Sequence, residues 1–379
     1  DTGRADSQAI LERLERANLF LVPLDDERRW YRYHHLFADL LRSRLEQDHP
    51  EQVSILHLRA SAWCEKQGLI SEAVGHALAT GDVDGVARMA RQNALATMDH
   101  GELTTLVGSI DALPDEVVSS RPWLCIAHAW ALVFAGQLGA VESRLKITET
   151  TLETFGDARR AEGPVLSAAE GPVPSTAEGR HIAGHIAAIR AYTAALRGDM
   201  SCAAELTREA LEQLPEEDLA VRGLAEGLRG SVLRWSGDLV AAAQSLDRAM
   251  TIAQAAGDTR TTVEALCSLA AVQLAQGQLH QTVATCRDAL WLADEYARRG
   301  GQRLPISASG YNIMSEVLRE WNDLDGALRR AREGIELSEQ WGWQEGLALG
   351  YRRRARALQA HGDREGAHRA IQKARQAAS

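Results

Sequence analysis

The sequence predicts an all-α fold in which helices pair and stack as repeats, with one short β-hairpin near the N-terminus. Three observations carry this. Aromatics supply only 5% of the 379 residues while 45% are apolar, a balance of Ala and Leu that suits close-packed helices better than sheets rich in aromatic and β-branched side chains. Short turn boxes recur along the chain at a nearly fixed step. The stretch that breaks the helical pattern, WYRYHHLF from Trp30, alternates beside a charged turn, as a strand of a hairpin does.

In chain order, SQAILERLERAN has helical spacing, with Ser7 as the expected N-cap. LFLVPL, the turn DDERR and WYRYHHLF then form the two arms of the hairpin, and a helix begins near Leu36. A helix leading into a hairpin is the ending of a winged-helix unit, assigned to residues 1–45. Residues 46–120 read as a helical linker with first, shorter helices, because KQGLISEAVGHALATGDVDGVARMARQNA places Gly68 and Gly81 only 13 residues apart.

Residues 121–379 carry the repeats. The boxes AGQLGAV, RGDMSCA, SGDLVAA, QGQLHQT, WNDLDGA and HGDREGA each hold a Gly or Asn followed by a polar residue; from Gly198 through Gly237, Gly277 and Asn322 to Gly362 the steps are 39, 40, 45 and 40 residues. Seven positions before the turn stand Ala129, Ala191, Gly230, Ala270, Ser315 and Ala355. Five after it stand Val141, Ala203, Ala242, Thr282, Ala327 and Ala367, and twelve after it Ala210, Ala249, Ala289 and Ala374. Small residues at matched offsets on both sides of a turn describe an antiparallel helix pair of close approach, and pairs that cannot bury both faces alone must stack. The pattern is that of a tetratricopeptide-like superhelix, with units lengthened from the usual ~34 residues. Between Gly136 and Gly198 lies an excess, the tandem AEGPVLSA-AEGPVPST-AEG, which reads as a flexible surface insert over 157–180.

The chemistry sought in the sequence is mostly absent. The dipeptide Gly-Lys does not occur, so no phosphate-cradling loop is present, and there is no Gly-x-Ser-x-Gly elbow. His181 and His185 in HIAGH have the i,i+4 spacing of a metal pair, but no acid stands with them as in HExxH. They read as helix-surface histidines, and no metal site is expected. The five cysteines, widely spaced and odd in number, read as buried reduced thiols. The chain is therefore not expected to be an enzyme.

A net charge of −10 disfavours polyanion binding. The basic stretch YRRRARALQAHGDREGAHRAIQKAR has helical period with acids around it, and reads as a solvated face rather than a nucleic-acid patch; the arginines of residues 1–45 are matched by acids. Neither a membrane span nor a signal-peptide pattern is visible, which leads to the expectation of a cytoplasmic protein without membrane contact.

LERLERANLFLVPLDDERRWYRYHHLFADLLRSRL, HLRASAWCEKQGLISEAVGHAL and LPDEVVSSRPWLCIAHAWALVFAGQL closely resemble the large ATP-dependent LuxR-type transcriptional regulators of the MalT-like family. The resemblance covers essentially the whole chain outside the eight-residue duplication, and is most specific at YRYHHLFADLLR and RPWL-AWAL-GQL. It implies a nucleotide-binding switch module ending in a winged helix, a tetratricopeptide-like sensor and a LuxR-type helix-turn-helix. The phosphate-binding module and the helix-turn-helix are not among these residues. ATP and ADP are thus expected of the longer regulator and no cofactor of this chain. In related nucleotide switches a winged-helix His touches the ADP phosphate, and His34 matches that position best. The resemblance further implies a signal ligand engaging the array, relief of ADP-held autoinhibition, self-association of the full-length protein and, as partners, a small-molecule or peptide effector and an inhibitory protein.

In such an array the first helix of each pair lines the concave face. Counting back from the turns puts Trp130, Tyr192, Arg234, Asn312, Glu316, Arg319, Arg352, Arg356 and Gln359 there as ligand candidates. The expected function is the sensor region of a transcription regulator. The alternative is a stand-alone repeat scaffold that binds peptide segments of a partner, for which a winged-helix unit has no use.

Overall fold

The computed structural model of the chain describes residues 7–17, 20–23, 31–93, 100–162, 175–299, 301 and 303–378. They divide into two units, Asp1–Gly136 and Gln137–Ser379.

The first unit runs α1 (Ser7–Arg16), β1 (Leu21–Pro23), β2 (Tyr31–Tyr33), α2 (His35–Asp48), α3 (Pro50–Lys66), α4 (Ile70–Ala79), α5 (Val83–Asn93), α6 (His100–Asp111), α7 (Asp115–Ser119) and α8 (Pro122–Phe134). The two strands pair antiparallel, Leu21 opposite Tyr33 and Pro23 opposite Tyr31. The His34 N–H donates to the Phe20 carbonyl at 2.7 Å, and the Phe37 ring lies 5.2 Å from Phe20 and 5.6 Å from Tyr33. The alternating aromatics therefore fasten the hairpin to α2, as edge and tilted ring pairs do. Trp30 lies outside the described residues. Ser7, expected as N-cap, is instead the first residue of α1. The α3–α4 hairpin is pinned by the Ser61 hydroxyl, which donates to the Ala73 carbonyl at 2.8 Å.

The second unit runs α9 (Leu138–Glu162), α10 (Thr176–Leu196), α11 (Met200–Gln213), α12 (Leu219–Ser236), α13 (Leu239–Ala255), α14 (Thr259–Ala275), α15 (Leu279–Arg298), α16 (Ser307–Glu320), α17 (Leu324–Gln340), α18 (Gln344–His361) and α19 (Arg364–Ala377). From α10 onward the helices form hairpins, α10 with α11 through to α18 with α19, and the first helix of each pair also packs on the first helix of the next. Gly198, Gly237, Gly277, Asn322 and Gly362 all take positive φ, the left-handed conformation that stops a helix with least strain at Gly or Asn. The polar residue after the turn is the cap of the second helix: the carboxylates of Asp199, Asp238, Asp323 and Asp363 accept from the backbone N–H three residues on.

The small residues sit where the sequence places them. Ala191, Ala270, Ser315 and Ala355 are buried opposite buried Ala203, Thr282 and Ala327 and half-buried Ala367. Ser315 also donates to the Ala327 carbonyl at 2.8 Å. At Gly230 even one added carbon would come within 2.5 Å of Leu246 Cγ, so α12 and α13 meet at glycine distance.

Two expectations are corrected. Helix α9 extends to Glu162 and α10 starts at Thr176, so helices take both ends of the 157–180 insert; Ser175 and Glu178 form a reciprocal capping box that turns the last copy of the tandem into a helix start. The remainder, 163–174, lies outside the described residues. Among the cysteines Cys64, Cys125, Cys267 and Cys286 are buried, but Cys202, on the outer side of α11, is exposed. No helix among the described residues is long and apolar enough to cross a membrane.

Candidate functional site

The nine residues counted onto the inner face do not share one environment. Trp130 is fully buried within α8 and stacks on Phe134 at 5.6 Å, so it is core and no ligand contact. Asn312 is also fully buried: its Nδ2 donates to the Gly346 carbonyl at 3.4 Å. Its Oδ1 fills the space that side chains at Gly334 and Gly350 would need. Asn312 therefore packs α16 against α17 and α18, and the expectation of a ligand contact is corrected. Counting along a single helix cannot reveal either: α8 packs on α5, α6 and α7 within its own unit, and α16 is covered by α17 and α18.

Tyr192 and Arg234 are half-buried on α10 and α12. Burial pushes the Tyr192 hydroxyl well above its ordinary range, with the nearby Glu264 carboxylate adding to it, and burial lowers Arg234. Glu264 on α14, itself raised by burial, was not singled out in the sequence although it shares this face.

Glu316, Arg319 and Arg356 do come together. The Glu316 side chain is 6% exposed and meets Arg319 at 2.7 Å, Arg353 at 2.9 Å and Arg356 at 2.7 Å; Arg319 also pairs with Glu320. Burial alone would raise the Glu316 carboxyl, but the three guanidinium groups outweigh it and hold it below the usual range. Arg353, one position off the face counted in the sequence, bridges α18 to α16 together with Arg356. Three guanidinium groups share two carboxylates, and beside them Arg352 and Gln359 are exposed on α18. That leaves a surplus of planar donor forks suited to carboxylate or phosphate groups.

The HIAGH histidines are not ordinary surface residues. His185 is buried, and the acid that the local sequence lacks comes from the N-cap of α12: Asp218 Oδ2 lies 2.6 Å from His181 Nε2 and 2.8 Å from His185 Nε2. The other histidine of interest, His34, occupies the N-cap position of α2 without a side-chain capping bond and is exposed.

A family profile described as the MalT-like TPR region matches residues 184–379, and one described as the MalT winged helix domain matches residues 2–53. The HTH-type transcriptional regulator MalT of Yersinia enterocolitica is 28% identical over 372 residues, covering 98% of this chain and 39% of its own length. That of Cronobacter sakazakii is 28% identical over 346 residues, covering 91% and 36%. The chain thus spans well under half of these relatives. Among solved structures, a STAND signal-transduction ATPase with a tetratricopeptide repeat sensor from Pyrococcus horikoshii superposes with a TM-score of 0.55 at 12% identity, covering 91% of this chain and 55% of its own. A Rap protein complexed with competence and sporulation factor gives 0.56 at 10% identity, covering 77% and 76%. With the repeat profile spanning more than half of its residues and the winged-helix profile preceding it, the chain belongs to the MalT-like family.

Proposed function

We propose that this chain is the signal-sensing and protein-interaction region of an ATP-dependent MalT-type transcriptional regulator, and that an effector or regulatory protein binds the first-helix face of its repeats at the arginine-rich end formed by α16 and α18. The guanidinium surplus around Glu316 supports this most directly. An anionic or strongly polar group can pair with Arg352 and Arg356 without breaking the buried Glu316 contacts, since Arg352 is exposed and half of the Arg356 side chain is in solvent. The region itself performs no catalysis in this reading. In this reading the region holds no nucleotide by itself, in keeping with a sequence that has no Gly-Lys dipeptide. ATP and ADP binding, self-association and promoter binding are assigned to other parts of the regulator. The winged-helix match at 2–53 favours this over a stand-alone peptide-binding scaffold.

A thermal-shift screen of sugars and acidic peptides, followed by calorimetric titration of any hit, tests the proposal. Arg352→Ala with Arg356→Ala is expected to weaken binding by at least about tenfold, since each lost charge-assisted hydrogen bond is worth roughly 1.5–3 kcal/mol. A hit that binds the double variant as tightly as the parent chain refutes the arginine face.

A further inference from the structure

We propose that His181, His185 and Asp218 form a binding site for a divalent transition-metal ion, with zinc the best match, clipping α10 to the start of α12. The three ligand atoms converge: His181 Nε2 and His185 Nε2 are 3.3 Å apart, and Asp218 Oδ2 lies 2.6 and 2.8 Å from them. All three lie within 4.8 Å of one another. Zinc bonds of ~2.0–2.1 Å in tetrahedral geometry separate ligand atoms by roughly 3.3 Å. The two imidazoles therefore already stand at the required spacing, and the carboxylate oxygen needs to retreat by about 0.7 Å. An ion roughly 2 Å from all three atoms would sit about 1 Å out of their plane, with its fourth position on the far side.

The surrounding chain builds this convergence. Gly184 lies inside HIAGH, and a side chain there would come within 2.9 Å of the Leu214 backbone nitrogen. Only the absence of a side chain lets α10 approach the α11–α12 connection closely enough for Asp218 to reach both rings. The other oxygen of Asp218 is used as the helix cap, accepting from the Val221 N–H at 3.2 Å. That bond orients Oδ2 toward the histidines, which is the part an outer-shell hydrogen bond plays at metal sites. The His185 side chain is 4% exposed, against 20% for His181 and 13% for Asp218, so the fourth coordination position faces the solvent side. It is suited to a water or an exchangeable ligand, and among the described residues no further His, Cys, Asp or Glu joins the three.

Two imidazoles and one carboxylate are a donor set that zinc takes. Nε2–H groups donating to Oδ2 satisfy the same side chains without an ion. Binding then requires each ring to carry its proton on Nδ1 and to present the Nε2 lone pair.

The test uses the whole chain after chelator treatment. Zinc at a hundredfold excess over its dissociation constant is expected to raise the melting temperature by roughly 5 °C, and cobalt is expected to give the visible absorption of a tetrahedral site. His181→Asn and Asp218→Asn, the latter preserving the helix cap, are expected to abolish the cobalt spectrum and weaken zinc by at least ~10-fold, the scale of even outer-shell changes. Circular dichroism checks that both variants fold, and if one does not, the other decides. A parent chain with neither a zinc shift nor a cobalt spectrum overturns the proposal. So does a response of equal size in the folded variants, which would mean that the ion binds elsewhere.

Discussion

Replacing Glu316 by Ala should damage the repeat stack more than the loss of any exposed charge in the chain. The carboxylate is 6% exposed and holds Arg319 and Arg353, 18% and 20% exposed, together with Arg356, which is 50% exposed. Removing the shared partner of a buried ion cluster costs about 3–5 kcal/mol, because the remaining charges stay desolvated without compensation. Solvent on Arg356 relieves part of this, so the expected loss is about 3 kcal/mol. At ~2–4 °C per kcal/mol for a unit of this size, the melting temperature should fall by roughly 6–12 °C. Repeat arrays open locally, so amide exchange should rise first in α16 and α18, whose packing the cluster bridges. Combining Glu316→Leu with Arg353→Met should recover much of the loss, since apolar groups of similar volume carry no desolvation penalty. Arg352→Ala, on an exposed side chain, should change stability by less than ~0.5 kcal/mol. A loss below about 1 kcal/mol for Glu316→Ala, the scale of surface pairs, would refute the view that this cluster joins the repeats.

Three further outcomes are expected. Gly230→Ala should destabilise by about 1–2 kcal/mol in denaturant titration, because a clash at 2.5 Å with Leu246 outweighs the ~1 kcal/mol that alanine gains in a helix; equal or greater stability would contradict the close approach. Under native conditions a thiol reagent should modify Cys202 rapidly and Cys64, Cys125, Cys267 and Cys286 only on unfolding, with burial pushing Cys286 up to about 12; several fast thiols would contradict the packing. His185, beside His181 and Asp218, and His76, beside His57, Glu72 and Arg42, are both lowered by burial, so the unfolded chain takes up their protons first. Their contribution to stability is complete above the unfolded value near 6.5 and is lost as pH falls below it; Asp218, also lowered, adds a second loss below pH ~4. A melting temperature independent of pH between 7 and 4 would contradict the histidine loss.

The periodic features of the fold could be read directly, since each depends on residues close in sequence. A Gly or Asn at the turn, an Asp cap beside it and small residues at fixed offsets determine one hairpin, and those at Gly237 and Gly362 follow this pattern. The aromatic hairpin was legible for the same reason. What escaped was convergence between elements. HIAGH looked incomplete because its acid, Asp218, is supplied by another repeat, 33 residues beyond His185. Arg353 looked like one arginine among several because its partner Glu316 lies on a different helix. The 157–180 insert is shorter than its tandem repeat suggests, because Ser175 and Glu178 inside the repeat form a strong local helix-start signal.

The inner-face candidates fail or survive according to position along the first helix. Ten residues before the turn, Ala188, Cys267 and Asn312 are buried and Gly227 is half-buried, because successive first helices press together there. Three before it, Arg234 and Arg319 are half-buried and Gln359 is exposed, so the array opens toward its turns. On α18 the opening reaches further back, and Arg352, at the ten-residue offset, is exposed. A variant of Asn312 that loses effector response should therefore also lose melting temperature, because it acts through the stack. Arg352→Ala should lose response at an unchanged melting temperature, because it acts at the surface. If both variants lost response with equal loss of stability, the arginine face would be packing and no sensor surface, and the ligand would have to be sought nearer Tyr192 and Glu264, another place where polar groups of different repeats interact.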